Sequence, residues 1–296
     1  MTTAAPTRTR IKSLHQQYAA LKSGKESLLN LIDEAEIAEN VYNSNAIENS
    51  TLTLSETEKI LLEMELSRNV SVREVFEAKN LARVMVYKRN KVKTESLTAD
   101  LIKLLHNMLL GGIDDSIAGR FRQNNEYVRV GAHIAPPPEQ VEPMINEILL
   151  TNSNDLDSYF LDKVVKFHLD FETVHPFCDG NGRMGRVLMN FQLLALGFPR
   201  VIIRNKGKKT YYQAFNDYNN KQQTKPMGKI VALALLESLH KRITYLKGER
   251  MVRLSDYIKQ HKLSAPKLTN AAKRQTIPAF REKEIWKISQ HYKPEK

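Results

Sequence analysis

One cysteine, Cys178, is the only thiol in this chain of 296 residues, so no internal disulfide framework and no cysteine-rich zinc site can form. Glycine and proline are sparse, at twelve and eleven, which excludes collagen-like and low-complexity chains. The longest apolar run, 230–236, falls far short of the roughly 20 residues that span a bilayer. The N-terminal stretch carries basic residues without the apolar core of a secretory signal. No membrane contact and a cytoplasmic address are therefore expected. What remains is an ordinary globular composition, 42% hydrophobic and 26% charged, long enough for about two domains.

Acidic residues are short too, 33 against 45 Lys and Arg. The deficit is local. Residues 241–296 hold 15 basic and 5 acidic side chains, a net of +10, while residues 1–240 net only +2. A near-neutral body with a basic tail implies two units with different partners. Charge at that density suits a polyanion such as nucleic acid, or else a solvated basic surface.

The periodicity is helical almost throughout, which makes the fold class all-α. Apolar residues recur at helical spacing over 26–41, 72–87, 97–110, 141–150, 159–174, 184–196, 209–218 and 227–245. Ser55 and Glu58 read as a capping box opening a further helix. One internal stretch, 126–134, alternates like a short hairpin and stops at three prolines. Past Gly248 a basic helix (250–260), a break at Pro266, a second short helix (268–273) and a strand-like end are expected. The implied organisation is an N-terminal helical region (1–110), a core with a β flap and the chemistry (111–248), and a basic module (249–296).

The chemistry concentrates in residues 175–186, His-Pro-Phe-Cys-Asp-Gly-Asn-Gly-Arg-Met-Gly-Arg. A helix ends at Pro176 and another opens near Arg183. Between them Gly180-Asn181-Gly182 can adopt positive φ and present bare amides at a helix N-terminus, where an anion is favoured. Arg183 and Arg186 lie one turn apart and can fork onto phosphate oxygens. Asp179 is a hard oxygen ligand suited to Mg2+ on a polyphosphate. His175 can act as a general base near neutral pH. This set suits phosphoryl or nucleotidyl transfer.

The segment resembles the signature of the Fic family, His-x-Phe-x-Asp/Glu-Gly-Asn-Gly-Arg-x-x-Arg, at every fixed position. Gly119-Arg120-Phe121-Arg122, and then Val130, Gly131, Ala132, His133 and Ile134 before the prolines, look like the family's flap region. Tyr211, Tyr212 and Asn219 resemble the residues that line its adenine pocket. The resemblance covers roughly residues 30–240. It implies a Fic-fold helical bundle that moves AMP from ATP to a Ser, Thr or Tyr hydroxyl of a protein. His175 would deprotonate that hydroxyl. Asp179 would hold Mg2+ against the phosphates. Gly180, Asn181, Gly182 and Arg183 would form the anion hole, with Met184 and Gly185 continuing the nucleotide-binding turn. Arg186 would grip the γ-phosphate, Phe177 would anchor the loop, and the flap would clamp the target's main chain. The intact Gly-Asn-Gly-Arg separates the chain from the phosphate-transferring Doc branch. Cys178 sits at a variable position and reads as a small packed residue.

Residues 44–49, Ser-Asn-Ala-Ile-Glu-Asn, read by themselves as a helix end with one carboxylate. They also resemble the family's inhibitory motif, matched at Ser44, Glu48 and Asn49 and placed before the core. The resemblance implies that Glu48 pairs with Arg186 in place of the γ-phosphate. It also implies, as a secondary activity, removal of AMP from targets.

Residues 274–288 resemble the end of excisionase-like, MerR-type helix-turn-helix domains, which makes duplex DNA or a protein the candidate partner of a small winged-helix-like module. Phe280 and Trp286 read as its core. The competing class is a DNA-binding regulator or toxin-like protein whose Fic body senses nucleotide. Self-AMPylation and a homodimer remain open.

Overall fold

The computed structural model describes residues 3–63, 70–91, 95–131 and 133–294. In chain order the helices are α1 (Ala5–Lys22), α2 (Glu26–Ala35), α3 (Ile37–Ile47), α4 (Leu54–Leu62), α5 (Val72–Lys91), α6 (Ala99–Leu110), α7 (Pro138–Asn154), α8 (Phe160–Val174), α9 (Asn181–Ala195), α10 (Lys208–Lys221), α11 (Lys225–Leu246), α12 (Leu254–Gln260) and α13 (Ala265–Lys273). The strands are β1 (Arg129–Val130), β2 (His133–Ile134), β3 (Met251–Arg253), β4 (Phe280–Glu282) and β5 (Ile285–Ser289). The expected all-α bundle with one internal hairpin is what forms.

These elements make two compact units. One comprises Ile37–Phe198 and Ile202–Gly228. The other comprises Thr3–Glu36, Pro199–Val201 and Lys229–Lys296. The division does not follow the expected boundaries near 110 and 248. Helices distant in sequence share one core, so composition along the chain does not mark where the units part.

In the first unit α8 buries Leu161, Val164, Val165, His168 and Leu169, one face at helical spacing. The core there includes Phe167, Phe171, Phe177, Met184 and Leu188. Each buried Phe contributes about 1.5–3 kcal/mol relative to exposure. The flap is an antiparallel pair, Arg129 opposite Ile134 and Val130 opposite His133. The capping box falls at Thr53 and Glu56 rather than at Ser55 and Glu58. Both pairs fit the pattern, but Thr53 is extended (φ −80°, ψ 165°) and Ser55 already lies inside α4.

In the second unit Arg242 of α11 is buried and donates to Asp33 Oδ1 at 2.6 Å and Glu36 Oε2 at 2.7 Å. Lys241 Nζ lies 2.9 Å from Glu36 Oε1. Burial would push the Glu36 carboxyl up, but Arg242 and Lys241 outweigh it and hold it at about 2. The helix expected over 26–41 breaks at this residue.

The C-terminal stretch forms an antiparallel sheet in the order β3-β5-β4 over α12 and α13. Its core includes Leu254, Tyr257, Leu268, Ala272 and Ile288. The start of the expected helix 250–260 is instead β3, with Val252 opposite Ile288. Pro266 lies in the first turn of α13 instead of breaking it, because the proline's missing N–H has no helical partner there. Phe280 is fully buried, and the Arg281 guanidinium sits 4.6 Å over the Trp286 ring.

Candidate active site

Helix α8 ends at His175, whose backbone turns left-handed (φ 49°, ψ 62°) ahead of Pro176. A non-glycine residue there is strained by roughly 1–3 kcal/mol unless neighbours hold it. Arg122 holds it. Its guanidinium donates to the carbonyls of His175 (2.8 Å), Pro136 (2.9 Å), Glu126 (3.0 Å) and Val174 (3.2 Å).

Phe177 is fully buried, stacked on His106 at 3.6 Å between ring centres. The Gly119 N–H donates to His106 Nδ1 at 3.0 Å, so Nε2 carries the proton and donates to the Asp179 carbonyl at 3.0 Å. The Asn181 amide ties the loop to itself, accepting from Phe177 N–H at 2.9 Å and donating to Phe177 O at 2.7 Å. Gly180 has φ 81°, a conformation that favours glycine, and a Cβ there would press on Leu110 Cδ2 at 2.9 Å.

Helix α9 thus starts at the loop with its first amides open. On one side lies a cavity of about 500 Å³ lined by Asp179, Gly180, Asn181, Gly182, Arg183 and His175 among others. Arg183 is buried, 3.1 Å from Glu77 Oε1 and 3.3 Å from Asp179 Oδ1. Arg73 of α5 pairs with Asp179 Oδ2. Burial would raise the Asp179 carboxyl, but Arg183, the Gly180 N–H and Arg73 hold it below its ordinary value. Among the described residues no cluster of three or more His, Cys, Asp or Glu could cage a metal. One ionised carboxylate beside an anion site fits Mg2+ carried in on nucleotide phosphates, the common mode for that ion.

On the other side lies a cavity of about 470 Å³. Its lining brings together Glu48, Asn49, Val130, Gly131, His133, His175, Gly182, Arg186, Tyr211, Tyr212 and Asn219, eleven residues singled out from the sequence. Arg186 is buried and held by α3 and the residue just past it: it donates to Ser44 Oγ at 2.9 Å, Ser44 O at 2.9 Å and Glu48 Oε1 at 2.8 Å. Burial opposes its charge, and Glu48 restores it, raising Arg186 above its ordinary range. Tyr212 Oη donates to Ile47 O at 3.0 Å. Asn49 turns left-handed (φ 71°) and accepts from Lys208 Nζ at 2.7 Å. The flap is tied down through His133 Nε2, 2.8 Å from Thr173 O, and Thr173 Oγ1 donates to Asn219 at 2.8 Å.

Some expected contributors lie elsewhere. Ala132 falls outside the described residues. Met184 is buried in the core and lines neither cavity, nor does Gly185. Burial pushes the Cys178 thiol up to about 11, with Glu126 adding to it, so it is no nucleophile at neutral pH. The structure adds Arg73, Glu77, Arg122, His106, Glu172 and Lys208, all reaching the loop or the cavities.

Residues 96–193 match the model of the Fic/DOC family. Over 187 residues the chain is 34% identical to the protein adenylyltransferase Fic of Nematostella vectensis, covering 62% of this chain and 43% of that one. The chain thus spans less than half the length of the curated relatives it matches. Among solved structures, Fic-1 of C. elegans superposes with a TM-score of 0.69 at 25% identity, covering 82% of this chain and 72% of that one. A Fic domain containing signaling protein of Bacteroides thetaiotaomicron gives 0.75 at 24% identity, over 81% and 98% of the two chains. The fold is that of these Fic proteins. Among the described residues no helix is long and apolar enough to cross a membrane.

Proposed function

We propose that this chain is a protein adenylyltransferase, moving AMP from ATP to a Ser, Thr or Tyr hydroxyl of a protein in the cytoplasm, and that Glu48 restrains it. The observation that carries the reading is the convergence of His175, the open amides of α9 and Arg186 on one cavity beside Tyr211 and Tyr212. In this reading His175 takes the proton of the target hydroxyl. The freed oxygen bonds to the α-phosphorus, the bond to the bridging oxygen breaks, and pyrophosphate leaves. The amides at Gly182 and Arg183 and the guanidinium of Arg183 meet the phosphate charge as it develops. Asp179 would hold Mg2+, which supplies neutralisation of the phosphates when bound. The flap, with Tyr127 and Ile134 exposed, offers an edge for the target's main chain.

Phosphate labelling tests the reaction. With the purified chain in a lysate, label from α-labelled ATP is expected on protein, on the chain itself included, and none from γ-labelled ATP. Label from the γ position alone would make the chain a kinase. Removal of AMP belongs to the same reading as a secondary activity, with Glu48 lying beside the α9 amides at Gly182.

The basic tail supports a second partner, duplex DNA. Lys267, Asn270, Lys273 and Arg274 are all exposed along α13, spaced so that they share one face. Lys283, also exposed, extends the charge onto the turn between β4 and β5. The test uses the full chain, since the second unit shares its fold with α1, α2 and α11. Affinity for duplex DNA is expected to fall with salt at a log–log slope of roughly −0.9 for each phosphate neutralised. Replacing Lys267, Lys273 and Arg274 together with Ala should flatten that slope by about 2–3. Weak binding with equal slopes in both proteins would leave α13 as a protein-contact face.

A further inference from the structure

Helix α8 delivers a second titratable group to the cavity that holds His175. Glu172 lies one turn earlier on the same helix, its side chain one-tenth exposed. Its Oε2 is 3.8 Å from His175 Nδ1. Its Oε1 and that Nδ1 make no hydrogen bond among the described residues. The carboxyl that carries this oxygen without a donor thus stands, through Oε2, 3.8 Å from a buried ring nitrogen without an acceptor. Such pairs are unfavourable left apart, and closing this one satisfies both.

The room for this carboxyl comes from α9. A Cβ on Gly185 would stand 2.3 Å from Glu172 Oε1 and 2.9 Å from the His168 ring. Any larger residue there would drive the carboxyl out. The groups around it are Glu48 just past α3, Arg186 from α9, Tyr211 and Tyr212 from α10, His168 from α8 itself and His175 at its C-terminal cap. Burial pushes Glu172 up to about 8, with Glu48 adding to the rise and Arg186 opposing it. At neutral pH the carboxyl is chiefly protonated and can accept a hydrogen bond through its carbonyl oxygen.

We infer that Glu172 is a positioning residue for His175: its carboxyl, seated in the space Gly185 leaves, accepts from Nδ1–H and so keeps Nε2 as the bare nitrogen facing the cavity. The inference rests on the reading of His175 as the base. A histidine base works only in the tautomer whose lone pair faces the substrate, and the hydrogen bond made by the other nitrogen sets that tautomer. The rival is the main-chain carbonyl of Glu172, which also acts on this imidazole and opposes its burial.

The experiment compares Glu172→Ala and Glu172→Gln in a Glu48→Gly background. The Ala variant is expected to lose about tenfold in kcat, the worth of one neutral hydrogen bond, with KM for ATP unchanged within about twofold. The Gln variant, a neutral isostere that keeps the acceptor, should stay within about threefold of its parent. Side-chain ¹⁵N shifts of His175 should report one Nδ1–H tautomer in the parent and the Gln variant, and a mixture in the Ala variant. An Ala variant with kcat and tautomer intact would assign the work to the carbonyl and overturn the inference. So would a raised KM with kcat intact, which marks a nucleotide contact. If the Ala variant does not fold, Gly185→Ala displaces the same carboxyl; a mixed tautomer there supports the inference and an unmixed one defeats it. A Glu48→Gly parent that transfers no AMP would sink the proposed function, and the tautomer would still decide the role of Glu172.

Discussion

His175→Ala is expected to bind ATP as the parent does and to lose roughly 10²–10⁴-fold in AMP transfer, the usual worth of a general base. The substitution removes the imidazole and little else. The left-handed turn is held by Arg122 through main-chain carbonyls, so the loop keeps its shape. His133 and Asp179 do not substitute for the lost base. His133 Nε2 is committed to Thr173 O, and Asp179 is engaged by Arg73 and Arg183. The pH profile carries a second signature. Burial lowers His175 to about 4, with the Glu172 carbonyl opposing and Arg122 adding. The base is unprotonated above that value and protonated below it. Its contribution to the rate should therefore persist down to about pH 4 and fall below it, rather than fading near the ordinary value of roughly 6.5. Incorporation of α-labelled AMP, followed against pH beside calorimetric ATP titration, measures both. Undiminished labelling by the variant would remove His175 from the chemistry.

The shape of the 175–186 loop was legible in the sequence because its parts are contiguous. His175, Asp179, Gly180, Gly182, Arg183 and Arg186 need only a helix end, a glycine turn and a helix start to converge, and local chemistry dictates all three. The supports of the loop were not legible. Arg122 reaches His175 from 53 residues away, and Arg73 reaches Asp179 across 106. No periodicity foretells a pairing at that distance. Glu172 is a different case, since its place one turn before His175 on one face of α8 was readable from spacing alone. The units were missed for a related reason. Asp33 and Glu36 find their cations on α11, more than 200 residues on. Where the boundaries shifted, two local rules competed. Thr53 and Ser55 both offered a cap, and Pro266 could break a helix or open one.

Glu48→Gly is expected to raise AMP transfer roughly tenfold to a hundredfold. Arg186 is held by three hydrogen bonds. Two of its bonds go to Ser44 and one to Glu48, all between 2.8 and 2.9 Å. The Ser44 bonds survive the substitution, so the guanidinium stays oriented. Only the charged partner leaves. A hydrogen bond between charged groups is worth about 1.5–3 kcal/mol, which sets the size of the gain if ATP must break it to place its γ-phosphate. Position adds to charge. A Cβ on Gly182 would stand 2.2 Å from Glu48 Oε1, so the carboxylate lies against the first turn of α9, where the helix favours an anion. Glu48 thus engages the cation and stands beside the helix start that a triphosphate would use. Removing it also leaves a buried cation short of one partner, which costs stability until ATP supplies the replacement. The variant should therefore melt below the parent without ATP and gain more from ATP than the parent does. Initial rates of AMP incorporation and paired melting curves test the two halves together. A folded, ATP-bound variant no faster than the parent would show that Glu48 holds Arg186 without restraining the reaction.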